Sequence, residues 1–266
     1  MLKNVVWVAL LFYAILISII WFTPISFAAI EINSFKSDLA WAVTNSGGKY
    51  YVIAITLITA LVFALRNKIN LHITIKFLKQ FSILFVMLAF FALLNEFIIK
   101  DIAKYTRPSH AFVFEHATHN ISIDNFYKLS ISDRQKNLKQ LIDSSSYLKE
   151  SIDPKVLSHW VEEAGYSFPS GHTFNAFLLA TVLAFSIKRS RKINLNKYYF
   201  VPFIWAVAIG VSRVALGAHA PIDVTFGGAM GIFFGALLLY FETSRNIILH
   251  RKHEKIKTVA NDVDNR

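Results

Sequence analysis

The 266-residue chain contains no cysteine. A disulfide framework and a thiolate metal site are therefore both excluded. It also has no internal repeat and no low-complexity segment, which removes solenoids and repeat arrays. Acidic residues are scarce, 17 against 28 lysines and arginines, for a formal charge of +11. A nucleic-acid-binding domain would gather such an excess into a stripe on one soluble face. Here the basic residues sit in short segments flanking apolar runs, so nucleic acid is not the expected partner. Apolar residues are what the chain has in quantity: 55% are hydrophobic and 15% aromatic, in uninterrupted runs rather than at the spacing of a surface helix. Runs of that kind belong in a lipid bilayer.

Six stretches are candidate spanning helices: residues 5–21, 51–65, 81–99, 173–187, 199–216 and 222–241. Lys3, the first run and Ser26-Phe27-Ala28 also resemble a cleaved signal peptide, but the apolar core is long for that, and a retained helix is expected. Orientation follows from the short loops. Arg66, Lys68, Lys76 and Lys79 lie between the second and third spans, and Lys188, Arg189, Arg191, Lys192 and Lys197 between the fourth and fifth. The tail at 245–266, with Arg245, Arg251, Lys252, Lys255 and Lys257, agrees with them, as does Lys3. The positive-inside rule then places both termini in the cytoplasm and residues 100–171 outside.

That outer segment reads as a small helical cap. Ser132 to Gln135 forms a capping box ahead of Leu138, Leu141 and Ile142 on one face. Asp153-Pro154 opens a second helix, which Gly165 is expected to end. The expected fold is all-α and integral to the membrane, one domain over residues 1–266, with six transmembrane helices and a periplasmic cap between the third and fourth. A bacterial inner membrane is the expected location.

Three clusters meet once this topology is drawn, because each falls at the outer end of a span. They are Lys100 with Arg107-Pro108; Pro169-Ser170-Gly171-His172; and Ser212-Arg213 with His219 and Asp223. Lys100, Arg107 and Arg213 supply three cations, which suits the nearly double negative charge of a phosphate monoester. Taken singly, each is better explained by snorkelling to lipid headgroups. Ser170-Gly171-His172 precedes a helix, so its backbone N–H groups and hydroxyl can hold phosphate oxygens, with Ser170 as a plain helix cap the simpler alternative. His219 and Asp223 are four apart, so the carboxylate can fix the imidazole tautomer and leave the other nitrogen to attack phosphorus. His172 would protonate the leaving oxygen.

These same residues carry a family resemblance. Lys100, six residues, Arg107-Pro108; Pro169-Ser170-Gly171-His172; and Ser212-Arg213, five residues, His219, three residues, Asp223 together resemble the tripartite signature of the type-2 phosphatidic acid phosphatases. Phe126 to Leu129, Ser158-His159-Trp160 and Gly165 to Phe168 are similar, more narrowly, to the phosphatidylglycerophosphatase B branch. The resemblance implies six helices, hydrolysis without a metal or other cofactor, and a phosphohistidine intermediate. It implies His219 as nucleophile, Asp223 as its orienter, His172 as acid, and Lys100, Arg107, Ser170, Gly171 and Arg213 as phosphate binders. Ala220 departs from the aromatic residue the family often has beside that histidine.

His110, His116 and His119 with Glu115 invite a zinc reading, but their spacing matches no zinc pattern. Glu96, charged within a span, sits four residues before Lys100 and is expected to support that lysine. The expected function is hydrolysis of phosphate or diphosphate groups on lipids, with phosphatidylglycerophosphate, phosphatidic acid and undecaprenyl diphosphate as candidate substrates. A phosphotransferase using the same phosphohistidine and a non-catalytic lipid-phosphate binding or transport protein remain as alternatives.

Overall fold

A computed structural model describes residues 1–25, 30–65, 73–118, 120–189 and 196–264. Ser26-Phe27-Ala28, Arg66, Lys68, His119, Arg191 and Lys192 lie outside the described residues. Helices account for the regular structure among them, with one isolated antiparallel bridge between Glu31 and Ile152.

The first apolar run forms α1 (Leu2–Phe22). Next come α2 (Phe35–Ser46) and α3 (Lys49–Leu65), bent by 55° at Gly47-Gly48. Helix α4 (Ile73–Leu94) continues through a wide π turn (Asn95–Ile99) into α5 (Lys100–Ala103). Five short helices follow: α6 (Pro108–His116), α7 (Ile123–Phe126), α8 (Ile131–Ser144), α9 (Ser146–Ser151) and α10 (Pro154–Glu162). The chain ends with α11 (Gly171–Arg189), α12 (Val201–Ala215) and α13 (Pro221–Asp264).

Among the described residues four helical stretches are long and apolar enough to cross a membrane: Leu2–Phe22, Thr74–Ala103, Asn196–Ala215 and Pro221–Ser244. The bent pair α2 and α3 makes a fifth if counted as one span. The run at 173–187, read from sequence as a span, forms most of α11 but is not among these. Its position explains the difference. Helix α11 packs against α1, α3, α12 and α13, and Phe174, Phe177, Thr181, Phe185 and Ser186 are all buried. A helix walled in by other helices does not have to match lipid, so threonines and serines are tolerated where their hydroxyls bond within the helix, as Thr181 does to Phe177 O and Ser186 to Val182 O.

Contact between α11 and α13 is backbone to backbone. Gly227, Gly231 and Gly235 repeat every four residues along α13. A Cβ would lie 2.4 Å from Ser170 O at Gly227 and 2.5 Å from Phe174 O at Gly231. Small residues at this spacing let two helices approach as no larger side chain would, the usual means of association where lipid supplies no hydrophobic force. Gly227→Ala is therefore expected to push back the carbonyl at the start of α11 and to destabilise the protein by about 1–3 kcal/mol, as overpacking does. Activity is expected to fall at least as far as that of Gly235→Ala, whose new methyl would lie 2.9 Å from the Thr181 side chain and no nearer than 3.3 Å to a backbone carbonyl, Leu178 O. Thermal unfolding in detergent and turnover check this; a Gly227→Ala protein as stable and active as the parent would sink it.

The five short helices have a core of their own, with Val113, Phe126, Leu138, Leu148, Val156 and Trp160 buried in it. Leu141 and Ile142 join that core. Trp160 Nε1 donates to Leu216 O at 2.7 Å, and Ser109 N to Gly217 O at 2.9 Å, so the block is fastened to the link between α12 and α13. Two helix ends differ from the sequence reading. Helix α8 is capped by Ser130, not Ser132: the Ser130 hydroxyl accepts from Asp133 N at 3.2 Å and donates to the Asp133 carboxylate at 2.7 Å. Ser130 thus caps the helix two residues early, with the Asp133 carboxylate holding its hydroxyl, while Gln135 is drawn away to Glu162 O at 3.2 Å. Helix α10 begins as expected, with Asp153 accepting from Lys155 N at 2.9 Å, but ends at Glu162, short of Gly165. The next residue, Glu163, leaves the helix for two arginines.

Candidate active site

Lys100, Arg107, Gly171, His172, Arg213, His219 and Asp223 come together at the end of the bundle that the short helices cover. Arg107 stands immediately before Pro108, which opens α6 at a position where a missing N–H costs nothing. Its backbone N donates to Tyr127 OH at 3.0 Å, its Nε to Gly165 O at 2.9 Å and its Nη1 to Ala218 O at 2.7 Å. This links the short helices to the residue next to His219. Gly217, with φ 64°, makes the left-handed turn that ends α12. The turn brings both Ala218 N and His219 N back to Arg213 O at 3.1 Å, which places the histidine beside the arginine. Asp223 lies in the first turn of α13, and its carbonyl accepts from Ser170 N at 3.0 Å, joining the starts of α11 and α13.

His219 Nδ1 lies 3.3 Å from Asp223 Oδ2, which also accepts from Ala220 N at 2.9 Å. On the other side of the ring, Nε2 is 3.5 Å from Arg107 Nη1. A guanidinium only donates, so this arrangement favours a proton on Nδ1 and a lone pair on Nε2. Burial lowers the His219 pKa to about 4; the Asp223 hydrogen bond opposes the fall, while Arg107 and Arg213 add to it. The ring is neutral at ordinary pH.

The group that sequence reading missed is Glu163. Its Oε2 lies 2.7 Å from Arg107 Nη1 and 2.6 Å from Arg213 Nη2, and its Oε1 is 3.6 Å from His159 Nε2 and 4.0 Å from His172 Nδ1. Burial alone would raise its pKa, but the two guanidinium groups outweigh that and hold the carboxyl well below its usual range. Arg213, fully buried, also reaches Thr44 Oγ1 at 3.2 Å and His159 Nε2 at 2.8 Å. That ring nitrogen must therefore accept, in keeping with burial lowering His159 to about 4. A carboxylate thus already sits between two of the three cations. The third, Lys100, pairs with Glu96 at 2.7 Å, and Gly165 packs so closely on this pair that a Cβ would lie 3.2 Å from Glu96 Oε1.

A cavity of about 440 Å³ opens on these groups, walled in part by Lys100, Arg107, Glu163, Gly171, His172 and His219. Arg213, Ser170 and Asp223 stand behind this wall. The Ser170 hydroxyl is fully buried at 3.0 Å from Thr173 Oγ1, so it serves the start of α11 and does not face the cavity. His110, Glu115 and His116 of the zinc reading are not among the residues that wall the cavity. His110 Nδ1 is 2.7 Å from Tyr127 OH, and His116 Nδ1 is 2.9 Å from Phe112 O. Among the described residues no three His, Asp or Glu side chains converge as a metal site would require.

The model of the PAP2 superfamily matches residues 80–247. The chain belongs to the PAP2 superfamily. The matched stretch contains every residue of the site just described except Thr44. The chain is similar to phosphatidylglycerophosphatase B of Escherichia coli K12, 31% identical over 153 residues, 55% of this chain and 56% of that protein. It is also similar to the Haemophilus influenzae protein of that name, 30% identical over 153 residues, covering 56% and 61% of the two chains. A third, from Bacillus subtilis, is 37% identical over 101 residues, covering 33% and 47%. The chain spans about half the length of these relatives.

Within this PAP2 site, Glu163 had one signal in the sequence: it lies four residues after His159 at the end of an amphipathic helix. Spacing shows that the two share a face, but not that the face meets Arg213, 50 residues on. Asn95 and Asn175, which also line the cavity, had none.

Proposed function

We propose that this PAP2 protein is a lipid phosphatase that acts through a phosphohistidine on His219. One observation carries the reading: His219 presents Nε2 to a cavity walled by Lys100 and Arg107, while Asp223 holds Nδ1 from behind. An incoming phosphate monoester takes over the guanidinium groups that Glu163 holds, with Lys100 and the backbone N–H groups at the start of α11 completing its surroundings. His219 Nε2 attacks phosphorus, the bond to the lipid oxygen breaks, and His172 gives that oxygen a proton. Water then attacks the phosphohistidine, passing its proton to His172, and inorganic phosphate leaves. Charge on the transferring group is met by three cations of the protein, so catalysis requires no added metal. Candidate substrates are phosphatidylglycerophosphate, phosphatidic acid and undecaprenyl diphosphate. The test is phosphate release by purified protein from a panel of these lipids, with and without a chelator. Release that persists in chelator and is blocked by vanadate is expected; loss in chelator, restored by zinc or magnesium, overturns metal independence.

The proposed setting is a six-span arrangement in a bacterial inner membrane, with α11 and the bent α2–α3 unit counted as spans, both termini cytoplasmic and the short helices outside. It rests on the basic loops, since Lys76, Lys79, Lys188, Arg189 and Lys197 all fall at ends remote from the site. Lys136, with a side chain 73% exposed on α8, is the position to probe. Lys136→Cys is expected to react with an impermeant thiol reagent in intact spheroplasts; reaction only after lysis reverses the orientation.

A further inference from the structure

Arg213 is fully buried, and its guanidinium is held by partners of two kinds. Nη2 donates to the Glu163 carboxylate, Oε2, at 2.6 Å. Nη1 meets two neutral acceptors, His159 Nε2 at 2.8 Å and Thr44 Oγ1 at 3.2 Å. An arginine Nη carries two protons, so these acceptors use up Nη1 and leave none of it for a ligand. A phosphate that takes the place of Glu163, as in the reading above, inherits Nη2. His159 and Thr44 are then the polar partners that the guanidinium keeps.

Thr44 comes from outside the family match. It stands in the last turn of α2, ahead of the matched residues 80–247, and is 2% exposed. The same end of α2 reaches the cavity. Gly47, three residues on, lines it, and a Cβ there would lie 3.3 Å from the His172 ring. The Thr44 hydroxyl oxygen accepts from Arg213 Nη1 and also from Ser212 Oγ at 3.1 Å, which occupies both of its lone pairs. Ser212 has a second acceptor in Ile209 O at 2.8 Å. Loss of the Thr44 hydroxyl would therefore strand a proton of Arg213 and not that of Ser212. Valine has the shape of threonine without the oxygen; serine keeps the oxygen.

We propose that Thr44 is a positioning residue for Arg213: its hydroxyl and the His159 ring clamp Nη1, so that Nη2 passes from Glu163 to phosphate without the guanidinium turning. The inference rests on the phosphatase reading and deepens it, because it makes the bend between α2 and α3 part of the phosphate site.

The test measures inhibition by orthovanadate, a mimic of the transferring phosphoryl group, in detergent with whichever lipid of the panel the parent hydrolyses fastest. Thr44→Val, Thr44→Ser and Ser46→Ala are compared with the parent. Ser46 is the control: its hydroxyl also joins α2 to α12, accepting from Trp205 Nε1 at 3.0 Å and donating to Val43 O at 2.6 Å, with Arg213 in neither bond. The vanadate Ki is expected to rise by about five- to thirtyfold in Thr44→Val, less than the full value of a hydrogen bond to a charged group because His159 still holds one proton. Thr44→Ser and Ser46→Ala are expected to bind vanadate as the parent does. Thermal unfolding separates fold from site: Thr44→Val and Ser46→Ala both melt below the parent, and only Thr44→Val loses vanadate. A Ki does not depend on the amount of active protein, so partial misfolding cancels. An unchanged Ki in Thr44→Val, or an equal rise in Thr44→Ser or Ser46→Ala, overturns the positioning role and leaves the phosphatase standing. A parent that releases no phosphate from any of the lipids, or does so untouched by vanadate, overturns the phosphohistidine reading and the positioning role with it.

Discussion

His219→Ala is expected to abolish turnover and any covalent phosphoenzyme, because His219 is the imidazole that lines the cavity beside Arg107 with Asp223 behind it. His172→Ala is expected to depend on the leaving group. With a lipid alkoxide, loss of the general acid is expected to cost on the order of a hundredfold or more. With p-nitrophenyl phosphate, whose leaving oxygen needs little protonation, the loss is expected to be much smaller, and phosphoenzyme still forms. The pH profile supplies a separate check. Imidazole attacks only when neutral, and burial lowers the His219 pKa to about 4, so with His219 as the proposed nucleophile the activity of the free enzyme is expected to fall near pH 4 and not near 6.5. Rapid quench in alkaline detergent, where a phosphohistidine survives, with labelled substrate and alongside rates on both substrates, decides the assignment. Label trapped on His219→Ala but not on His172→Ala would reverse the two roles.

Arg213→Leu is expected to fail twice over, in stability and in catalysis, and the two failures are separable. Arg213 is fully buried and shares the Glu163 carboxylate with Arg107. Removing it leaves a mostly buried carboxylate half-compensated, which is expected to cost up to about 3 kcal/mol, the lower end for a fully buried pair, because Glu163 faces the cavity. If Arg213 also reaches the transferring phosphoryl group once Glu163 is displaced, as proposed above, the same change is expected to lower kcat by about a hundred- to a thousandfold. The double variant Arg213→Leu/Glu163→Leu removes the stranded charge, so it should recover much of the stability and none of the activity. Thermal unfolding in detergent and phosphate release measure the two arms; a single variant that unfolds like the parent would show that the pair contributes nothing to the fold. The sign of the pH dependence follows from the carboxyl being held below its ordinary range. The stability it contributes is present above about 4.5, its unfolded value, and is lost as pH falls through the lower folded value.

The sequence alone determined the membrane class, the helical character and the identity of the cationic and histidine groups. These depend on residue type and short spacing, which a chain displays without folding. Uninterrupted apolar runs mark a membrane protein before any packing is known, and a histidine four residues before an aspartate stays within its reach, here from just ahead of α13. Tertiary structure alone decided which polar groups meet across the fold. Glu163 reaches Arg107 and Arg213 from positions 56 and 50 residues away, and periodicity, which sees one face of one helix at a time, has no access to that distance. The same holds for Gly227 against Ser170 O and for Thr44 against Arg213. It also explains α11, whose hydroxyl-bearing sequence looked like a lipid-facing span although its surroundings are protein: hydropathy reports how apolar a helix is, and packing decides what surrounds it.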